Sequence, residues 1–498
     1  MKTWMAGLLA LFGSAVAAVP AQADWSRAES DHFIVYGRGD PDKLAAFTAD
    51  FERFDKILRV YTGLSDEAQG QPVEIYLANS GSELRRASDM NNAAGFYLAT
   101  AGGVCGFATR KGNEWESLVR FHEYSHHFML QHFPVAYPAW FVEGFAEYFG
   151  TAKVEERTAR VGYFNKGRVS SLFIDKWLDL DELLEPRAHT LSANGYNFYA
   201  QSWLLTHYMY ADEQRRQQLG DYLDRVAKGE PSAKAFEAAT GSDLLSYQRA
   251  VERYAKKEKL SARVLEFQEN LYDPSRVRVT ALPQGSDDVL LPAALIRCGN
   301  RDDGDSLARI RKEAERDPDD DYIQRAWLFS EAQAGDTATA IEKLPALLEA
   351  NPKDPAILYH IGRAYSRRAH EDGFDQDENH QLARGYYARA NAVRPDHFPT
   401  LYYYATDGDL DDENDRSVLW RAGQLAPQVE EIRVQLAFSL LLNEEWEAAE
   451  AALAPVAFSA HSGRDEMRKL LERIRARDQT LREVDAEETA EKVAEEDE

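Results

Sequence analysis

The sequence predicts an α+β domain followed by an all-α domain of helical repeats. Three observations favour this fold class: strand-like segments lie before residue 110, a helical pattern fills residues 111–260, and prolines recur at a regular period from residue 283. A chain of 498 residues is long enough for about three domains of typical size.

The first 23 residues have the pattern of a secretory signal peptide. Lys2 precedes an apolar run from about residue 4 to residue 19, and Ala21-Gln22-Ala23 forms a small-residue cleavage site. The alternative is an uncleaved membrane anchor, but the run is short for a span. We therefore expect a secreted or periplasmic protein that begins at Asp24 and has no later transmembrane segment.

The mature chain begins with residues that favour a mixed sheet within residues 30–110. Residues 32–36 and 72–77 are typical of strands, and Asp40-Pro41 opens an amphipathic helix that Gly63 ends. Residues 95–108 predict a hairpin that turns at Ala101-Gly102-Gly103.

The helix expected over residues 114–132 carries the most informative motif, His122-Glu123-Tyr124-Ser125-His126. Residues four apart share one face of a helix, so both imidazoles can hold one ion while Glu123 reaches an attacking water. The alternative is a pair of hydrogen-bonded core histidines, which the neighbouring Glu123 disfavours.

A second helix, expected to begin near Pro138, supplies candidate carboxylates. Catalytic zinc sites combine three protein ligands with water, and Glu143 is the candidate third ligand. Glu147 lies one turn further, where it can accept a hydrogen bond from a ligating imidazole. The alternative is a solvated helix face, but the aromatic flanks Trp140 and Phe145 predict burial.

The two stretches together, H-E-x-x-H followed by W-F-V-E-G-F-A-E-Y, resemble the gluzincin metallopeptidases, specifically the peptidase MA-like secreted proteins of bacteria. The resemblance spans about residues 30–255 and includes Tyr199-Ala200-Gln201-Ser202-Trp203, which is similar to a Tyr-containing helix of that family. It implies a zincin-like metallopeptidase domain over residues 24–265. The Gly-x-Met-Glu-Asn strand of the aminopeptidase branch is missing, so exopeptidase activity has no support.

The resemblance implies one Zn²⁺ ion, held by His122, His126 and Glu143, that polarises the scissile carbonyl. Glu123 acts as general base and then general acid, and Tyr199, with Tyr196 as the reserve candidate, donates a hydroxyl to the oxyanion. Mn or Co could use the same ligands. The hairpin is expected to supply an edge strand for the substrate, although an ordinary covered sheet edge is equally consistent with the sequence.

Beyond a linker expected at residues 266–282, prolines recur at intervals of 35, 34, 43 and 32 residues. These are Pro283, Pro318, Pro352, Pro395 and Pro427. A period near 34 residues with two helices per unit is typical of tetratricopeptide (TPR) repeats, so we expect a TPR-like helical repeat domain over residues 283–475. Residues 476–498 are expected to form an acidic, disordered tail.

The net charge of −26 argues against nucleic acid as a partner. Cys105 and Cys298 fall in different expected domains; separate buried thiols are the favoured interpretation, with a disulfide as the alternative.

Two function classes fit these observations. The first is a secreted zinc-dependent endopeptidase whose TPR domain recruits protein partners or substrate. The second is a catalytically silent, peptidase-like TPR scaffold that binds proteins in the cell envelope. The intact Glu123 favours the first class, because a purely structural metal site needs no base.

Overall fold

The structure is a computed structural model. It describes residues 24–66, 71–87, 95–109, 114–164, 166–174, 176–185, 196–257, 260, 262–299, 305–371, 373–458 and 465–483. The expected signal peptide and residues 484–498 of the expected tail lie outside this description.

An α/β region is followed by a helix-rich region. The strands are β1 Trp25–Glu29, β2 Phe33–Arg38, β3 Val73–Ala78, β4 Gly95–Thr100, β5 Gly103–Thr109, β6 Lys153–Val154, β7 Thr158–Val161, β8 Arg263–Glu266 and β9 Arg278–Ala281. The helices of the first region are α1 Pro41–Thr62, α2 Gly81–Ala87, α3 Glu114–His132, α4 Ala139–Gly150, α5 Lys166–Val169, α6 Ser171–Ile174, α7 Leu180–Leu184, α8 Tyr196–Tyr210, α9 Glu213–Ala227, α10 Ser232–Thr240 and α11 Leu244–Lys257. The helices of the second region are α12 Ser286–Gly299, α13 Asp305–Arg316, α14 Asp321–Ala334, α15 Thr337–Ala350, α16 Pro355–Arg368, α17 Gln376–Val393, α18 Phe398–Thr406, α19 Glu413–Leu425, α20 Glu430–Leu442, α21 Trp446–Ala457 and α22 Asp465–Arg475.

Helix α1 has the ends that its sequence predicts. The Asp40 side chain accepts a hydrogen bond from the Asp42 amide, and Pro41 occupies the first turn, where no amide hydrogen is needed. Gly63 ends the helix with a φ of 77°, a left-handed conformation that glycine adopts without a steric penalty.

The main sheet has the order β4-β5-β3-β2-β1-β9, with parallel pairing of β3 to β2 and β5. The predicted hairpin is confirmed, since β4 pairs with β5 around the expected turn and forms one edge of the sheet. One face of the sheet packs on α1 and α3, and the other face packs on α12 from the second region. This arrangement places the predicted metal helix directly against the sheet.

Strand β9 lies within residues 266–282, where a linker is expected from the sequence. It pairs antiparallel with β1, which itself lies before the expected start of the sheet at residue 30. The expected helical stretch of residues 111–260 also contains β6 and β7, which form a small antiparallel sheet with β8. The pairings of β9 with β1 and of β8 with β7 join residues far apart in the chain, so local sequence patterns do not indicate them.

In the described part of the second region, consecutive helices from α12 to α21 pack as hairpins, and α22 packs on α21. The α12 helix continues through Pro292. The expectation of separate thiols is wrong: Cys105 in β5 and Cys298 in α12 form a disulfide with a Cα–Cα distance of 6.1 Å. Because α12 covers one face of the sheet, it brings Cys298 beside Cys105.

Part of the expected tail at residues 476–498 is ordered. Residues Gln479–Glu483 form a 3₁₀ helix, and Leu481 is fully buried against the repeats. Among the described helices, none combines the length and the apolar character that a membrane span requires.

Candidate metal centre

Helix α4 lies in the centre of the first region because its whole surface is covered. Every residue from Ala139 to Gly150 is buried, as its aromatic sequence predicts. Gly144 permits close packing against α8, since a Cβ atom there would lie 2.5 Å from the Ser202 carbonyl oxygen. Gly150 similarly packs on the backbone of His122 in α3. These contacts bring the carboxylates of α4 to the histidines of α3.

Three predicted ligands meet between α3 and α4. The His122 Nε2 and His126 Nε2 atoms are 3.1 Å apart. The Glu143 Oε2 atom lies 3.3 Å from the former and 3.6 Å from the latter. For bond lengths of about 2.0–2.2 Å, the ligands of a tetrahedral zinc ion lie about 3.3–3.6 Å from one another. The three atoms therefore have nearly the spacing of one face of such a tetrahedron.

The charges in this cluster stabilise one another. Burial alone would lower the pKa of His122, but hydrogen bonds to Glu143 and Glu147 raise it to about 10. Burial alone would raise the pKa of Glu143, but the imidazoles of His126 and His122 hold it well below its usual range. A buried carboxylate is costly without such partners, so the positive charge of the imidazoles stabilises Glu143 in this cluster.

Glu147 orients His122 from the side opposite Glu143. Its Oε1 atom lies 3.2 Å from His122 Nδ1, and its side chain is 6% exposed. In a neutral His122, this contact favours the tautomer in which the Nδ1 proton is donated to Glu147. The lone pair of Nε2 is then directed at the other two candidate ligands. The Arg168 guanidinium of α5 also pairs with Glu147.

Tyr199 lies beside the cluster, as expected. Its ring centroid is 6.5 Å from that of His122, and the Arg168 guanidinium carbon lies 4.1 Å above the ring. The Glu143 carboxylate, and then burial, raises the pKa of Tyr199, so its hydroxyl stays protonated at neutral pH. The side chain of Tyr196, the reserve candidate, lies outside the description.

Glu123 points to the flank of α3 that faces the sheet edge. It lines a small pocket with Phe96 and Tyr97 of β4 and with His127. The Tyr97 hydroxyl lies 2.7 Å from His127 Nδ1. The candidate base is thus next to the edge strand that the hairpin supplies.

A second acidic and histidine cluster supports α3 from behind. His32 Nδ1 lies 2.8 Å from Glu52 Oε2 and 3.8 Å from Asp55 Oδ2. Asp55 accepts hydrogen bonds from Arg59 at 2.5 Å and from the hydroxyl of Tyr124, in the H-E-x-x-H motif, at 2.6 Å. Since both oxygens of Asp55 already have donors, we interpret this cluster as a hydrogen-bonded support for α3 rather than a metal site.

Sequence reasoning missed Arg168 and the His32 cluster. Arg168 follows no motif, and its neighbours in the chain carry no pattern that indicates a site. The partners of His32 lie on α1, and the apolar spacing and end residues of this helix predict a helix but indicate no site.

The sequence profile of one family, described as "Protein of unknown function (DUF1570)", matches residues 121–233. The chain is similar to that family over a minor part of its length, but the matched part includes every candidate residue from His122 to Tyr199. A search of curated proteins found no match.

Proposed function

We propose that this protein is a secreted zinc-dependent endopeptidase of the gluzincin type, with a zincin-like fold in its first region. The observation that carries the proposal is the spacing of His122 Nε2, His126 Nε2 and Glu143 Oε2, which suits one tetrahedral ion.

The donor set fits zinc. Two imidazole nitrogens and one carboxylate oxygen are typical of catalytic zinc, with a fourth position left for water or substrate. Glu143 Oε2 is buried, and it lies 3.3 and 3.6 Å from the two imidazole nitrogens, so it faces both of the other candidate ligands. A cation between these three atoms would neutralise the buried carboxylate.

Zinc bound there would supply a Lewis acid and lower the pKa of a water molecule. Glu123 would take the proton from that water and deliver it to the leaving amine. Glu147 would keep the Nδ1 proton of His122 in place, and Arg168 would hold Glu147. The neutral hydroxyl of Tyr199 would donate a hydrogen bond to the developing oxyanion.

The sheet edge and the repeats suit a polypeptide substrate. Strand β4 has β5 as its partner on one side and lies beside the pocket of Glu123. The second region fits a TPR-like domain that recruits protein partners or substrate. The Cys105–Cys298 disulfide is compatible with an extracytoplasmic compartment.

The test is metal analysis of the mature protein together with cleavage of an unstructured casein. We expect one zinc per chain and cleavage that falls at least about 10²-fold in Glu123→Gln while the zinc stays bound. Glu182→Gln, a change of an exposed glutamate on α7, is the matched control and should leave both unchanged. Stoichiometric zinc with no cleavage of any peptide would instead favour a silent scaffold that binds proteins through its repeats.

A further inference from the structure

A cavity of about 290 Å³ lies between the main sheet and the repeats. Its walls come from the β4–β5 turn, from His127 and Gln131 of α3, and from repeat helices that include Tyr359 and His360. The volume is close to the lower end of ligand pockets, which hold about 300–1,000 Å³. The metal site does not use this space.

The cavity continues the helix face that carries the candidate base. Glu123, His127 and Gln131 are spaced four residues apart on α3, so they share one face over about 12 Å. His127 lines both the small pocket of Glu123 and the larger cavity. An extended chain advances about 3.3 Å per residue, so about four residues would connect the two.

The cavity wall offers neutral hydrogen-bonding groups. The Tyr359 hydroxyl and Gln428 Oε1 have no partner among the described residues, although their side chains are only 3% and 6% exposed. Burial lowers the pKa of His360 to about 3, so this ring is uncharged at neutral pH.

Two charged side chains that line the cavity, Glu74 of β3 and Arg297 of α12, are already paired with each other. Arg297 Nη2 lies 2.5 Å from Glu74 Oε2 and 3.0 Å from the Tyr76 hydroxyl. A charged ligand group placed beside this pair would lose its bound water and gain no free counter-charge from it, which is unfavourable. A peptide segment without charged side chains carries one donor and one acceptor per residue, and such groups match the unpartnered hydroxyl and amide oxygen.

We propose that this cavity binds an uncharged, extended segment of the substrate polypeptide, about four residues from the bond that is cleaved. The inference rests on the proposed function and deepens it: the substrate is an unfolded polypeptide long enough to fill the metal site and the cavity together. Short peptides reach only the metal site.

The experiment compares two variants of the cavity with two matched controls. Tyr359→Phe removes the unpartnered hydroxyl, and Gln131→Trp fills the cavity from α3. Tyr387→Phe removes another buried hydroxyl of the second region that has no partner among the described residues and does not line the cavity. Gln217→Trp adds an indole at an exposed position of α9.

Binding is measured by fluorescence anisotropy with labelled, dephosphorylated β-casein and zinc-loaded protein that also carries Glu123→Gln. Cleavage is measured as the ratio of kcat/KM for casein to kcat/KM for a six-residue peptide that contains the main cleavage site. We expect Tyr359→Phe to weaken casein binding about fivefold without lowering the unfolding temperature, as the loss of one neutral hydrogen bond predicts. Gln131→Trp should weaken binding and lower the cleavage ratio more than tenfold, and the controls should change neither.

If both cavity variants leave casein binding and the cleavage ratio unchanged, the inference is wrong. Cleavage of casein by the parent protein would still support the proposed function. Casein binding that depends on Tyr359 and Gln131, in a protein that cleaves nothing, would support the cavity as a polypeptide site and refute the endopeptidase.

Discussion

Glu143→Ala is the sharpest test of the proposed metal centre. The substitution removes the oxygen that lies 3.3 and 3.6 Å from the two imidazole nitrogens and leaves His122 and His126 as an incomplete pair. The Glu143 side chain is only 5% exposed, so the substitution changes the buried cluster and not the protein surface.

The expected loss of zinc affinity follows from the average contribution of one ligand to the binding free energy. Zinc sites with four protein ligands bind with apparent free energies of about 10–16 kcal/mol, or about 2.5–4 kcal/mol for each ligand. One lost ligand should therefore weaken zinc binding about 10²–10³-fold. Glu147→Ala removes only an orienting contact and should weaken it about 10–100-fold.

Zinc affinity can be measured by competition with a fluorescent chelator, and zinc content by mass spectrometry after dialysis. Circular dichroism during thermal unfolding checks that the helical repeats remain folded. Glu123→Gln, which leaves all three ligand atoms in place, should retain full zinc content. A Glu143→Ala protein that keeps one zinc per chain, with an affinity within threefold of the parent, would refute the ligand assignment.

Four further outcomes follow from the same contacts. Tyr199→Phe should lower kcat at least about tenfold with unchanged zinc content, because it removes only the hydroxyl donor; unchanged kcat would assign that role to another residue. Arg168→Ala should weaken zinc binding, measured by the same competition, by up to about tenfold through the loss of its contact with Glu147; unchanged affinity would contradict this role. Burial alone would lower the pKa of His32, but Glu52 and Asp55 raise it above its unfolded value of about 6.5, so its stabilisation is complete below that pH and is lost as the pH rises through the folded pKa. The difference in free energy of unfolding between the parent and His32→Gln should thus be larger at pH 5.5 than at pH 9, and a difference independent of pH would exclude this linkage. Changing Cys298 and its partner to Ser opens a bridge that spans 193 residues and should lower the free energy of unfolding by about 2–5 kcal/mol in urea titrations; an unchanged urea midpoint would contradict it.

Local signals in the sequence were sufficient for much of the fold. The cap residue Asp40, the terminating Gly63 and the bounds of α3 are each determined by neighbours within a few residues. The meeting of His122, His126 and Glu143 could also be expected, because two of these residues share a helix face and the third lies on the next helix. The zinc ion and the catalytic roles remain predictions.

Long-range contacts could not be predicted in this way. The pairing of β9 with β1 and the Cys105–Cys298 disulfide depend on how α12 packs against the sheet. No periodic pattern encodes such packing, since it depends on the shapes of two surfaces far apart in the chain. Arg168 was missed for the same reason: its partner Glu147 is a neighbour only after folding.

Strand β9 determines where this protein can be divided. A fragment that stops at residue 265 would lack the strand that pairs with β1 and would expose a row of backbone amides and carbonyls. It would also uncover the apolar face on which Leu291 and Leu295 of α12 pack. Removing the C-terminal half at that point would therefore yield an aggregation-prone remnant, so loss of activity in such a truncation would not test the proposed recruitment role of the second region.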